Sequence, residues 1–362
     1  MNEYVDRLAR ARAAMVDRSI DALCLSVGSD LPYLTGYRAM PLERLTMLVV
    51  PLGGDPVLVV PKLEAPRVDV SPGTFDVRPW GETEDPIAIV DDILSDAGRV
   101  AVGDETWTTF SLALQNAGEE RSWVAAGGLM SDLRIIKSPA EIDALRVAAA
   151  TVDGVVDQMA GIPFSGRRER DVARELVDRT LADGHETMEF WIVASGPNGA
   201  SPHHEVGERV IEHGDAVVVD FGGHQNRYAS DTTRMFVVGE PPYGFDDAFS
   251  VLLEAQRAAT HHVRPGVSAA SVDAAARDII TEAGYGDLFI HRVGHGIGMD
   301  THEHPYIVEG SDVPLEPGMA FSIEPGIYTP GEWGIRIEDI VVVTEDGVEA
   351  LNTSDHSYRV VT

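Results

Sequence analysis

Four carboxylates and one imidazole recur through the C-terminal half of this 362-residue chain in short, recognisable contexts. Asp220 stands in VVVDFGG, Asp231 in ASDTTRM, His295 in GHGIG, Glu324 in SIEPG and Glu338 in GIRIED. Together they can hold two divalent cations side by side, an arrangement suited to hydrolysis. Two carboxylates ~5 Å apart repel by ~3 kcal/mol at an effective dielectric of 20. Four crowded together would cost ~20 kcal/mol, more than the ~5–15 kcal/mol that stabilises a typical domain. Cations remove that cost. An oxygen-rich set with one imidazole suits Mn2+ best, with Co2+, Fe2+ or Zn2+ as alternatives. Each residue taken singly has a plainer reading: an Asp at a strand end caps a turn, the Glu of EPG opens one, and a His among glycines is structural. The five in one series outweigh those readings.

The elements that must position them follow from periodicity. VVVDFGG and NRYASDTTRMFVVG read as two β-rich runs with a turn at GGHQN, so a hairpin brings Asp220 and Asp231 to one face. MAFSIEPGIYT and WGIRIEDIVVVTEDG repeat that logic for Glu324 and Glu338. The small neighbours of His295 allow close backbone approach. Helices are expected over about 168–183, 243–263 and 270–283. Ser138, Pro139 and Glu141 form a capping box ahead of a helix whose Ile142, Leu145, Ala149, Val152, Val156 and Met159 share one face. Upstream, an amphipathic opening helix, the strand-like DALCLSV, TMLVVPL and PVLVVP, the helix-like PIAIVDDILSDAG and RVAVG alternate as in an α/β domain. The fold class is α+β, with an α/β N-terminal domain over 1–132 and a catalytic domain over 133–362.

The series resembles the pita-bread metallopeptidases: Xaa-Pro dipeptidase (prolidase), aminopeptidase P and methionine aminopeptidase, with creatinase as a metal-free relative. The resemblance covers essentially the whole chain. It implies a C-terminal pita-bread catalytic domain preceded by a creatinase-type N-terminal domain, which methionine aminopeptidases lack. It makes Asp220, Asp231, His295, Glu324 and Glu338 the metal ligands, with Asp231 and Glu338 bridging two ions. Asp220 completes one shell; His295 and Glu324 complete the other. Glu324 is then the general base. His203, seventeen residues before Asp220, and His302, seven after His295, match the family's catalytic histidines, and Arg336 an arginine that supports the metal carboxylates. Arg292 is a candidate for a substrate carboxylate. His204, Glu205, His304, His261 and His262 read as solvent-facing or loop residues. The implied substrate is a proline-containing dipeptide or oligopeptide, with prolidase favoured over aminopeptidase P. A non-peptidase metal enzyme on the same fold is a further alternative, and a non-catalytic binder is the least favoured. A homodimer is expected by resemblance.

Composition limits the partners. Acidic residues number 59 against 28 basic ones, a net charge of −31, and Lys62 and Lys137 are the only lysines. Such a surface argues against nucleic acid and anionic membranes, which need clustered cations. No apolar run reaches the ~18–20 residues of a membrane span. The charged N-terminus has no apolar signal core, so a cytoplasmic location is expected. The scattered acid suits either an acidic proteome in a high-salt cytoplasm, where repulsion is screened within ~3 Å at 1 M, or simply an acidic protein from an arginine-preferring, high-GC genome. A melting temperature that stays flat from dilute buffer to molar KCl would refute the high-salt reading. The lone Cys24, in an apolar strand, is expected to be a core residue.

Overall fold

The computed structural model describes residues 2–362. They divide into two compact units, one running to Arg134 and the other spanning Ile135–Thr362.

In the first unit α1 (Glu3–Asp17) opens on the Asn2 side chain, which accepts the Tyr4 N–H, and buries Leu8, Ala11 and Met15. After it come β1 (Ala22–Leu25), α2 (Asp30–Thr35), β2 (Met47–Pro51), β3 (Val57–Pro61) and β4 (Asp76–Trp80). α3 (Pro86–Ile93), β5 (Arg99–Val102), α4 (Thr108–Ala117), β6 (Ser122–Ala125) and α5 (Gly127–Arg134) complete it. The strands form one mixed sheet in the order β4-β3-β2-β1-β5-β6. Strands β1 and β2 are covered on both faces, which is why they read as continuous apolar runs. β4 and β6 form the sheet edges and keep exposed positions, so their sequence signal is weak. On one face Cys24, Met47, Val49 and Val59 pack with Val90, Leu94 and Leu114. Cys24 is fully buried, and burial pushes its thiol up to about 12 against the pull of Arg121. It is a packing residue.

The second unit opens with α6 (Pro139–Met159) on the capping box: the Ser138 hydroxyl accepts the Glu141 N–H and the Glu141 carboxylate accepts the Ser138 N–H. There follow α7 (Glu169–Ala182), β7 (Thr187–Ser195), β8 (Ala216–Gln225), β9 (Tyr228–Ala229), β10 (Thr232–Val238), α8 (Phe245–His262) and α9 (Ala269–Glu282). The chain then forms β11 (Gly294–Gly296), β12 (Glu303–Ile307), β13 (Ala320–Ile323), β14 (Gly326–Thr329), β15 (Trp333–Arg336), β16 (Asp339–Val343), β17 (Val348–Ala350) and β18 (Arg359–Val361). One sheet runs β18-β10-β8-β7, with β9 on β8; a second runs β12-β11-β13-β16-β17; β14 and β15 make a hairpin. An antiparallel bridge between Thr233 and Glu338 links the two large sheets. One core lies between the sheets and α8–α9, and another between the first sheet and α6–α7. This is the expected α+β class, an α/β unit followed by one in which helices pack against two largely antiparallel sheets.

The expected turn at GGHQN is displaced. β8 continues through Gly222 and Gly223 to Gln225, and the turn is Asn226–Arg227, both at positive φ. The two glycines serve close strand approach instead: a Cβ on Gly222 would lie 2.1 Å from the Ser230 carbonyl, and one on Gly223 2.1 Å from that of Thr187. Among the described residues no helix is long and apolar enough to cross a membrane.

Candidate metal centre

The site lies where the two large sheets meet. β8 presents Asp220 opposite Thr233 of β10, and Asp231 immediately precedes β10. β13 pairs with β16 up to Ile323 and Asp339, so Glu324 and Glu338 flank the next position beyond that ladder. His295 is the middle residue of β11. Its neighbour Gly294 has no alternative, because a Cβ there would stand 1.8 Å from the Ser322 carbonyl.

These elements bring all five predicted side chains together. Ligand-type atoms of Asp220, Asp231 and Glu338 lie within 4.8 Å of one another, as do those of His295, Glu324 and Glu338. Glu338 belongs to both groups. His295 Nε2 is 3.2 Å from Glu324 Oε1 and 3.6 Å from Asp231 Oδ2. His302 joins Asp231 and His295 in a third group, its ring centroid 3.8 Å from that of His295.

The electrostatics call for cations. Burial, then Glu338, Asp220 and Glu324, push the Asp231 carboxyl well above its ordinary range. Burial, Glu324 and Asp220 do the same to Glu338. Burial raises Asp220 too, against the opposing charge of Arg336. Glu324 differs: burial would raise it, but the hydrogen bond and charge of His295 outweigh that and hold it at about 2. Asp220 Oδ1 and Glu338 Oε1 are buried with no hydrogen-bond partner. Buried carboxylate oxygens that find no donor are what a divalent cation satisfies, so the donor set fits two such ions.

A further layer fixes these groups. The Ser322 hydroxyl accepts the His295 N–H at 3.0 Å and donates to Glu324 Oε1 at 3.0 Å. The Thr233 hydroxyl donates to Glu338 Oε2 at 2.8 Å and accepts from Arg336 Nε at 3.1 Å. Arg336 also donates to Asp220 Oδ2, to the Tyr328 hydroxyl and to the Pro202 carbonyl. Burial opposes the Arg336 charge, but Tyr328 and the surrounding carboxylates keep its proton bound far above the ordinary range. Arg234, fully buried, donates to the Glu338 carbonyl and to Asp339 Oδ1 at 2.7 Å. Gln256 and His356 bond the other Asp339 oxygen. Apart from Arg336, these supports were not foreseen. Only the polar, β-branched run TTR following Asp231 hinted at them.

The two companion histidines take different settings. His302 is exposed on one side; burial of the rest of its ring and the proximity of His295 lower its pKa to about 4, so it is neutral at pH 7. His203 is exposed and close enough to His302 to act on its charge state. Arg292, which also acts on His302, stacks 4.4 Å over the Tyr306 ring. His204 lies in a loop, one of the two settings expected of it, but is not freely solvated. It is half-buried, with Nε2 2.9 Å from the buried Glu169 carboxylate. His261 and His262 close α8, where imidazoles face the carbonyl end of the helix, and His304 is exposed against Tyr306.

Comparison with known proteins places the chain in a family. The model of metallopeptidase family M24 matches residues 143–345, and that of the Creatinase/Prolidase N-terminal domain matches residues 7–136. The chain is 46% identical to the probable dipeptidase PepE of Mycobacterium tuberculosis, over 99% of this chain and 96% of that one. It is 35% identical to the Xaa-Pro dipeptidase of Lactobacillus helveticus over 95% of this chain and 96% of that one. Its structure superimposes on the recombinant prolidase of Thermococcus sibiricus with a TM-score of 0.93 at 34% identity, covering 99% of both chains. Buried ligand-type carboxylates, a two-unit fold and similarity that runs along 99% of the chain at 46% identity to a probable dipeptidase lead to one conclusion: the chain belongs to metallopeptidase family M24.

Proposed function

We propose that this enzyme is an Xaa-Pro dipeptidase working with two Mn2+ ions. The observation that carries the reading is the buried cluster of four carboxylates and His295, with two carboxylate oxygens lacking any donor and His302 against its edge. Asp220, Asp231, His295, Glu324 and Glu338 would hold the ions. The bound ions would acidify a water and polarise the scissile carbonyl. Glu324, ionised at neutral pH, accepts the proton of the attacking water and returns it to the prolyl nitrogen. His302, a neutral imidazole, donates one N–H to the carbonyl oxygen as negative charge develops there. His203 would donate a hydrogen bond on the product side. The Xaa-Pro bond has no N–H, so a site that offers no acceptor at that position loses nothing by taking proline.

Arg292 favours a dipeptide over a longer substrate. Its guanidinium carbon lies 4.4 Å from the Tyr306 ring centroid and its charge reaches His302, which supports a role as the partner of a free α-carboxylate on the proline. Mn2+-loaded enzyme should therefore cleave Ala-Pro and leave Ala-Pro-Xaa and Met-Ala peptides intact. Cleavage of the tripeptide would make it an aminopeptidase instead, and inertness towards all three would end the peptidase assignment. Arg292→Met should raise KM for Ala-Pro about 10–100-fold with little change in kcat, the pattern of a lost charge-assisted contact. An unchanged KM would remove Arg292 from the substrate site.

A further inference from the structure

His203 sits on a connection outside both sheets, the stretch 196–205 between β7 and β8. Its side chain is exposed. The residues on each side of it are held. Before it, the Pro202 carbonyl accepts from Arg336 Nη2 at 3.3 Å. In the same stretch Gly199 lies directly on Gly334 of β15, where a Cβ would meet the Gly199 carbonyl at 1.8 Å. After it, His204 Nε2 is 2.9 Å from Glu169 Oε2.

Glu169 is the first residue of α7, and its side chain is fully buried. Oε1 accepts the Ser195 N–H at 2.8 Å, the Ser195 hydroxyl at 2.7 Å and Asn198 Nδ2 at 3.0 Å. Oε2 accepts from Asn198 at 3.1 Å and from His204. All of these partners lie between residues 195 and 204. Burial alone would favour the protonated acid, yet the bonds from Ser195, His204 and Asn198 bring the carboxyl below its ordinary range, and it binds as the anion. The Ser195 hydroxyl also accepts from Arg209 Nη1 at 2.6 Å, itself paired with Asp215 at 2.5 Å, so the anchor is braced from behind. A buried carboxylate serving only to cap α7 would have no reason to direct both oxygens at the end of β7 and the connection that follows it.

We infer that Glu169 is a positioning residue for catalysis, setting the place of His203 through Asn198 and His204 without touching substrate. This rests on the role proposed above for His203. Displacing a catalytic group by about 1 Å is enough to lower a rate ~100-fold. Glu169→Gln and His204→Ala should each lower kcat for Ala-Pro about 10–100-fold and leave KM within threefold. Mn2+ stoichiometry and affinity, measured by calorimetry, should stay within twofold of the parent. In a His203→Ala background the same two changes should cost less than twofold more. Equal losses in both backgrounds, or a parallel loss of Mn2+ affinity, would make Glu169 a general structural residue and overturn the inference. So would full activity of Glu169→Gln and His204→Ala beside a crippled His203→Ala. A fully active His203→Ala would instead remove the role of His203, and the inference with it. Should Glu169→Gln fail to fold, the half-buried His204→Ala alone decides the outcome by the same measures.

Discussion

Glu324→Gln is expected to fold, to take up divalent metal and to hydrolyse Ala-Pro about 1,000-fold more slowly than the parent, within the range that a positioned acid–base group contributes. The amide keeps one neutral oxygen, able to take the Ser322 hydroxyl that now bonds Glu324 Oε1 at 3.0 Å or to ligate a cation. It cannot take a proton. Burial would raise the Glu324 carboxyl, but His295 beside it lowers it to about 2, so the wild-type side chain is a carboxylate throughout the neutral range. Metal content measured on the same sample separates the two roles of this residue. Full metal occupancy with a collapsed kcat supports the proton-transfer role. A rate above one tenth of the parent would eliminate it, and a joint loss of metal and activity would reduce Glu324 to a ligand.

The second large effect is on stability. Removing divalent metal with a chelator should lower the melting temperature by roughly 10–20 °C. A ligand at 100 times its dissociation constant adds about 2.7 kcal/mol per site, and a 150–250-residue domain shifts about 2–4 °C per kcal/mol. Asp231→Asn sharpens the test. Burial and three neighbouring carboxylates crowd Asp231, so deleting its charge should raise the melting temperature of the metal-free protein at pH 8 while abolishing much of the gain from Mn2+. A wild-type melting temperature indifferent to millimolar Mn2+ would contradict the two-ion reading. A metal-free Asp231→Asn that melts below the metal-free parent would contradict the crowding argument.

Much of the framework was legible because it depends on near neighbours in sequence. α6 follows from a capping box and a 3.6-residue apolar stripe, and α7, α8 and α9 come within a few residues of their expected ends. Other elements were opaque for identifiable reasons. β7 alternates over its first half and is fully buried over its second, so neither strand pattern runs through it. The glycines of β8 imitate a turn because a missing Cβ serves close strand approach as well as tight bends.

By itself the sequence determined the identities and order of the five ligand-type residues, the α+β class and the family resemblance, because each is written in contiguous residues. Only the tertiary structure decided what holds those residues in place. Thr233 and Arg234 meet Glu338 and Asp339 across 105 positions of sequence, and Arg336 meets Asp220 across 116. Glu169 reaches His204 across 35. A threonine in a strand or a glutamate opening a helix looks ordinary in sequence, since nothing local reveals which distant donor it meets. Side-chain hydrogen bonds between such groups depend on sheet register and on the exclusion of water, and both exist only once the chain has folded.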